Sequence, residues 1–107
     1  MLLFLYGTLL DPQVLVRRSG EARLPRRLRP ARLPGYAKVG LRGTPYPTLV
    51  ARPGMATDGA ILRVGESALA RLAAYEGADY RLVPVRVSTR QGPVRARAWM
   101  APRWRAG

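Results

Sequence analysis

Residues 66–81 read ESALARLAAYEGADYR. Helix-favouring residues run unbroken from Glu66 to Glu76, and Gly77 ends them, so the stretch predicts a helix over 66–76. On a wheel of 3.6 residues per turn, Leu69, Leu72 and Ala73 share one stripe, and the next position on it is Glu76. A carboxylate there faces the core, where its burial is costly unless it is paired or protonated. It also lies at the negative end of the helix dipole. Both effects disfavour the anion and raise its pKa. A carboxyl tuned in that way can move protons near neutral pH. The alternative is a helix that frays before Glu76 and leaves it in water, and the wheel alone does not choose between the two.

Outward from this helix the chain reads mostly as strands. Residues 81–100, RLVPVRVSTRQGPVRARAWM, predict a hairpin with Gln91-Gly92 in its loop. Val83, Val85 and Val87 share one face, and Val94, Ala96, Ala98 and Met100 share one face of the partner strand. Pro84 confines its strand to an edge or a bulge. Residues 1–12, MLLFLYGTLLDP, begin as a buried strand over 1–6 that a glycine ends. Asp11-Pro12 then reads as an N-cap with proline at the first helical position, and a short helix runs from Pro12 to about Arg18 with Gly20 as its stop.

Between these segments, residues 21–48 carry Pro25, Pro30, Pro34, Pro45 and Pro47, which predict an irregular path with short strands near 31–39. Residues 48–52 and 58–64 read as two strands separated by the turn RPGMATDG. The order is β-α-(β)-β-β-α-β-β. It predicts one α+β domain over 1–107: a small mixed, barrel-like β-sheet with two short helices.

Tyr6-Gly7-Thr8 interrupts the first strand early. A strand that ends in Gly-Thr can turn its next backbone N–H groups outward as a small anion-binding nest, and glycine lets a ligand approach the backbone. A plain strand-to-helix turn has the same sequence.

Cysteine and histidine are both absent. Disulfides, thiolate catalysis, zinc fingers, Ser-His triads and histidine metal sites are thereby excluded. Proton transfer falls to six carboxylates, five tyrosines and Lys38, the only lysine. No apolar run approaches the ~20 residues of a spanning helix. The N-terminal run lacks the charged leader and cleavage site of a signal peptide. The expectation is a soluble cytoplasmic protein with no membrane partner. Nineteen basic residues against six acidic ones give a net charge of +13. One reading is nucleic-acid binding through RRSGEARLPRRLRPAR (17–32), with the Arg-rich segment 23–32 at its centre. The other is a compositional bias that enriches Arg, Ala, Gly and Pro together. No aromatic residue lies within that cluster to stack on a base. A positive field also attracts small anionic substrates.

FLYGTLL (4–10) and LARLAAYEGADYRLVPVRV (69–87), in this order and at this separation, resemble the γ-glutamylcyclotransferase-like (AIG2-like) family. Between them, LPGYAKVGLRGTPYPTLVARPG (33–54) and DGAILRV (58–64) look like further segments of that family. The resemblance implies a substrate-holding loop at Tyr6, Gly7, Thr8 and Leu9. It implies a general acid/base at Glu76 and a pocket-lining tyrosine at Tyr80. The implied reaction is cyclisation of a γ-glutamyl amine or amide to 5-oxoproline with release of the amine. It requires no cofactor and no metal, and its partner is a small-molecule γ-glutamyl substrate. A basic nucleic-acid-binding or other non-catalytic module on the same fold is the alternative. Two departures bear on this. Ala73 stands where members often have Asp, and the C-terminal pocket residues of longer members are expected to have no counterpart here. The amine portion of the substrate stays open.

Overall fold

The structure is a computed structural model that describes residues 1–106. In chain order the strands and helices are β1 (Leu2–Leu5), α1 (Pro12–Ser19), β2 (Arg29–Gly40), β3 (Pro47–Arg63), α2 (Glu66–Glu76), β4 (Arg81–Thr89) and β5 (Gly92–Met100). Short 3-10 turns cover Thr8–Leu10, Leu24–Arg27 and Arg103–Arg105. The five strands close into a barrel in the order β1-β3-β2-β4-β5. β1 runs parallel to β5, and the other pairings are antiparallel, so the sheet is mixed.

β1 explains the unbroken apolar run at the N-terminus. Phe4 and Tyr6 point into the barrel with Leu33, Leu49, Val85, Val87, Ala96 and Ala98. Leu3 and Leu5 point outward into a second layer with Leu15, Leu24, Leu62, Ala68, Leu72 and Trp99. Both helices pack on that outer layer. A strand covered on both faces needs apolar residues at every position rather than at alternate ones.

Both helices begin and end as their sequences dictate. The Asp11 side chain accepts the Gln13 N–H at 2.9 Å and caps α1. Gly20 ends that helix at φ 75°, in the left-handed region. Gly77 ends α2 with φ 82° and ψ −177°, a conformation that essentially only glycine adopts.

Four expectations differ from the structure. The two strands placed at 48–52 and 58–64 are one strand, β3. The pairing with β2 jumps from Pro34 opposite Ala56 to Tyr36 opposite Ala51, so residues 52–55 bulge out opposite Gly35. The Pro53-Gly54 turn signal is real, but a continuous partner strand absorbs it as a bulge. Residues 29–40, expected to be irregular with short strands, form the 12-residue β2. Its other neighbour, β4, pairs with it only at Arg32 opposite Ser88, so few N–H donors are needed on that side and prolines are tolerated. Thr89 pairs with Gly92, which begins β5, so the hairpin loop is Arg90-Gln91. Last, Pro84 does not put its strand at an edge or a bulge: β4 lies between β2 and β5 in the closed barrel, and the proline is tolerated because β2 pairs with β4 only at Ser88.

Gly59 is where β3 crosses closest to β1. A Cβ there would collide with the Leu5 carbonyl oxygen and stand 2.8 Å from Phe4 Cζ. Glycine at position 59 is therefore a packing requirement at the barrel seam.

Candidate active site

Where β1 ends, the chain turns through Gly7 into the 3-10 turn Thr8–Leu10. The N–H groups of Gly7, Thr8 and Leu9 donate to no backbone carbonyl among the described residues. The first donors of any such turn are orphans. All three residues line a pocket of about 130 Å³, together with Tyr6 and Tyr80. Glu76 lines the same pocket from the last residue of α2. Tyr6, Gly7, Thr8, Leu9, Glu76 and Tyr80 are thus brought together from β1, α2 and the segment before β4.

Glu76 is half-buried rather than solvent-exposed. No hydrogen bond or ion pair reaches its carboxyl among the described residues. Burial raises its pKa from the ordinary 4.5 to about 7. The helix stripe that places it is centred differently from the wheel's expectation. Ala68 and Leu72 are fully buried, while Ala73 is exposed. Glu76 therefore reaches the pocket from the edge of the buried stripe. The Ala73 departure falls in solvent.

Several contacts fix the pocket walls. The Tyr75 and Thr8 hydroxyls hydrogen-bond at 2.7 Å, which ties α2 to the turn that carries the free amides. The Arg18 guanidinium lies 4.9 Å from the centroid of the Tyr75 ring, stacked over it. The Tyr80 hydroxyl donates to the Pro47 carbonyl at 2.8 Å and holds the Tyr46–Pro47 lip. The buried Tyr6 hydroxyl donates to the Trp99 carbonyl. Burial raises the pKa of Tyr6 first, and the neighbouring Tyr80 and Glu76 add to it. Tyr80 is raised chiefly by burial and then by Glu76. Both stay phenols, able to donate, at neutral pH. A Cβ at Gly7 would lie 3.3 Å from Pro47 Cγ, a tight contact to which the proline ring would have to yield slightly.

Tyr46, Pro47, Tyr75 and Trp99 also line the pocket, and the sequence did not assign them to it. Tyr75 had a usable signal, its place beside Glu76. The Tyr-Pro pair at 46–47 stood out only as part of the resemblance. Nothing local marks Trp99, which barrel closure brings in.

The Arg-rich segment 23–32 lies elsewhere. Leu24 is buried and Leu28 partly buried in the outer layer. Arg29 Nη1 donates to the Arg26 and Leu28 carbonyls at 3.0 and 3.1 Å. Arg32 Nε donates to Asp58 at 2.8 Å. Two of its arginines thus serve the fold.

A closed five-strand barrel with two helices on one side, and a half-buried carboxyl lining one pocket with free backbone amides, defines a class of small α+β pocket proteins. The sequence matches the family described as Gamma-glutamyl cyclotransferase, AIG2-like, over residues 3–106, and the chain belongs to that family. No curated protein matches it in sequence. A protein of Arabidopsis thaliana, solved in solution, is similar with a TM-score of 0.79 and 26% identity, over 99% of this chain and 74% of that one. A solved gamma-glutamyl cyclotransferase has a TM-score of 0.79 and 21% identity, over 95% of this chain and 66% of that one. YkqA from Bacillus subtilis has a TM-score of 0.82 and 21% identity, over 95% of this chain and 40% of that one. The last two likenesses concern the fold.

Proposed function

We propose that this protein is a γ-glutamylcyclotransferase-type enzyme. It cyclises a γ-glutamyl amine or amide to 5-oxoproline and releases the amine, with Glu76 as general acid/base. The observation that carries this reading is a half-buried carboxyl, its pKa raised to about 7, lining one pocket with the three free amides of Gly7, Thr8 and Leu9. Family membership supports it.

The chemistry needs no nucleophile from the protein. The substrate's α-amine attacks its own γ-carbonyl, a C–N bond closes the five-membered ring, and the original amide C–N bond breaks. The α-ammonium must first lose a proton. Ionised Glu76 takes it and returns it to the departing nitrogen, while the ring nitrogen gives up its second surplus proton to the released amine, which leaves as an ammonium. A pKa near 7 lets one group serve both steps, because each form is populated at neutral pH. The amides of Gly7, Thr8 and Leu9 hold the substrate carboxylate or the oxygen that gains charge as the ring closes. Aromatic walls keep the substrate folded in its near-attack shape, which supplies much of the acceleration.

The test is 5-oxoproline release from a panel of γ-glutamyl amines, amino acids and peptides. The wild type is expected to turn over at least one of them, and Glu76→Gln to lose about 10²–10⁴-fold in rate. Equal turnover by the variant refutes the role of Glu76. No release by a folded wild type across the panel refutes the reaction.

A further inference from the structure

The outer surface of the barrel is not uniform. The two helices cover it over β1, the end of β3 and Trp99 of β5. Over β4, and over β5 as far as Arg97, it stands open. Val85, Val87, Ala96 and Ala98 are buried inside, so Pro84, Arg86 and Ser88 of β4 face out, as do Pro93, Arg95 and Arg97 of β5. The register sets Arg86 directly opposite Arg95. Pro84 is opposite Arg97, and Ser88 is opposite Pro93. On the far side of Ser88 lies Arg32 of β2.

Two like charges opposite each other across an antiparallel pair are destabilising. Among the described residues no ion pair reaches Arg86, Arg95 or Arg97. Residues 81–100 contain no acidic residue. The nearest acid in the sheet, Asp58 opposite Arg32, already pairs with that residue at 2.8 Å. Neither the core nor the pocket uses Arg86, Arg95 or Arg97. An external polyanion would remove the repulsion, and the shape of the face selects which kind. The apolar side chains among these arginines are Pro84 and Pro93, and no large aliphatic or aromatic residue stands there as the anchor that protein interfaces rely on. No aromatic residue is present to stack on exposed bases. Arg86 and Arg95 spring from Cβ atoms about 5 Å apart across the pair, and Arg95 and Arg97 from positions about 7 Å apart along β5, so their guanidinium groups can reach closely spaced backbone phosphates.

We propose that the open β4–β5 face, through Arg86, Arg95 and Arg97, binds the phosphate backbone of double-stranded nucleic acid without sequence preference. This surface is separate from the Arg-rich segment 23–32 and independent of the reaction proposed for the pocket. The contact is electrostatic, so it weakens as salt displaces it, and each phosphate contact contributes about 0.9 to the slope of log affinity against log salt.

The test is fluorescence anisotropy with a labelled mixed-sequence DNA duplex over a salt series. The matching single strand and phosphatidylserine vesicles are run beside it. The wild type is expected to bind the duplex with a slope near −2.7, three contacts at about 0.9 each. Arg86→Ser/Arg95→Ser should reduce the slope in magnitude by about 1.8. It removes a repulsion, so it should fold at least as well as the wild type, checked by its melting curve. Arg26→Ser/Arg27→Ser should leave the slope unchanged. The proposal is overturned by absent duplex binding at low salt, or by tighter binding of the single strand. It is equally overturned by binding to vesicles alone, or by loss that follows Arg26 and Arg27 instead.

Discussion

Glu76→Gln should uncover a cost that the wild type carries only when its carboxyl is ionised. Burial lifts that carboxyl from 4.5 to about 7, so the folded protein holds the proton more tightly than the unfolded chain does. Below pH 4.5 both states are protonated and the group is neutral in effect. As pH rises through the window from 4.5 to about 7, the unfolded chain ionises first and wild-type stability falls. Above that window the loss is complete and constant. At about 1.36 kcal/mol per pH unit, the ceiling is about 3.4 kcal/mol. Glu76 is half-buried, and water at the pocket mouth screens it, so about 2 kcal/mol is the expected size.

Glutamine has the same shape and never ionises. Urea unfolding of both proteins at pH 4.5 and pH 8 isolates the effect, because the other titrating groups are shared and cancel in the difference. The variant should match the wild type at pH 4.5 and exceed it by about 2 kcal/mol at pH 8, on the order of 10 °C in Tm. A stability gap of the same size at both pH values would falsify the claim that Glu76 is held in a desolvated site. The reading of the pocket as a proton-transfer site would then lose its physical basis.

Other expectations test the same architecture at other points. As a general base Glu76 must be ionised, so kcat/KM should rise with pH up to about 7 and then level off; a profile flat from pH 5 to 8 argues against it. Gly59→Ala should cost at least about 2 kcal/mol in urea unfolding, since the collision at the β1–β3 seam is with backbone that cannot swing aside. A change under about 0.5 kcal/mol there would mean that the seam is looser than described. Thr8→Val breaks the 2.7 Å bond to Tyr75 at an exposed site, so stability should drop by only about 0.5–1 kcal/mol. Turnover should drop more than that, because the bond aligns the free amides with the helix that bears Glu76. Turnover that merely tracks the small stability loss would assign the bond a structural role alone.

What the sequence discloses depends on how local the determinant is. The helix over 66–76 is bounded by Gly65 and Gly77 and needs nothing distant to be recognised. The two-sided burial of β1 is written in its unbroken apolar run. Continuity of β3 is not written locally, since Pro53-Gly54 reads the same in a turn as in a bulge. Only β2, pairing on both sides of residues 52–55, decides it. The wheel put Ala73 on the buried stripe. In fact α2 lies against the outside of a barrel, through Ala68 and Leu72, and that turns Ala73 to solvent. Tyr6–Leu9, Glu76 and Tyr80 were legible because two short motifs carry them. Trp99 and Tyr46 were not, because the turn of the barrel alone carries them to the pocket.

The two halves of the pocket meet because one strand fixes both. The free amides begin where β1 stops, and α2 shares one buried layer with the outward residues of β1, Leu3 and Leu5, through Ala68 and Leu72. Phe4 of β1 and Tyr6 just after it point inward and lock the same segment into the barrel. Neither half can shift without disturbing a strand packed on both faces, which is the kind of support a proton-transfer geometry needs. In a chain without histidine, an ordinary carboxyl can be brought to titrate near neutrality. Here the agent is burial, with no neighbouring acid or metal invoked. The pocket that desolvates Glu76 is also the pocket that holds the amides. Tuning and positioning are therefore one structural fact, and a variant that opens the pocket should lose the raised pKa and the alignment together.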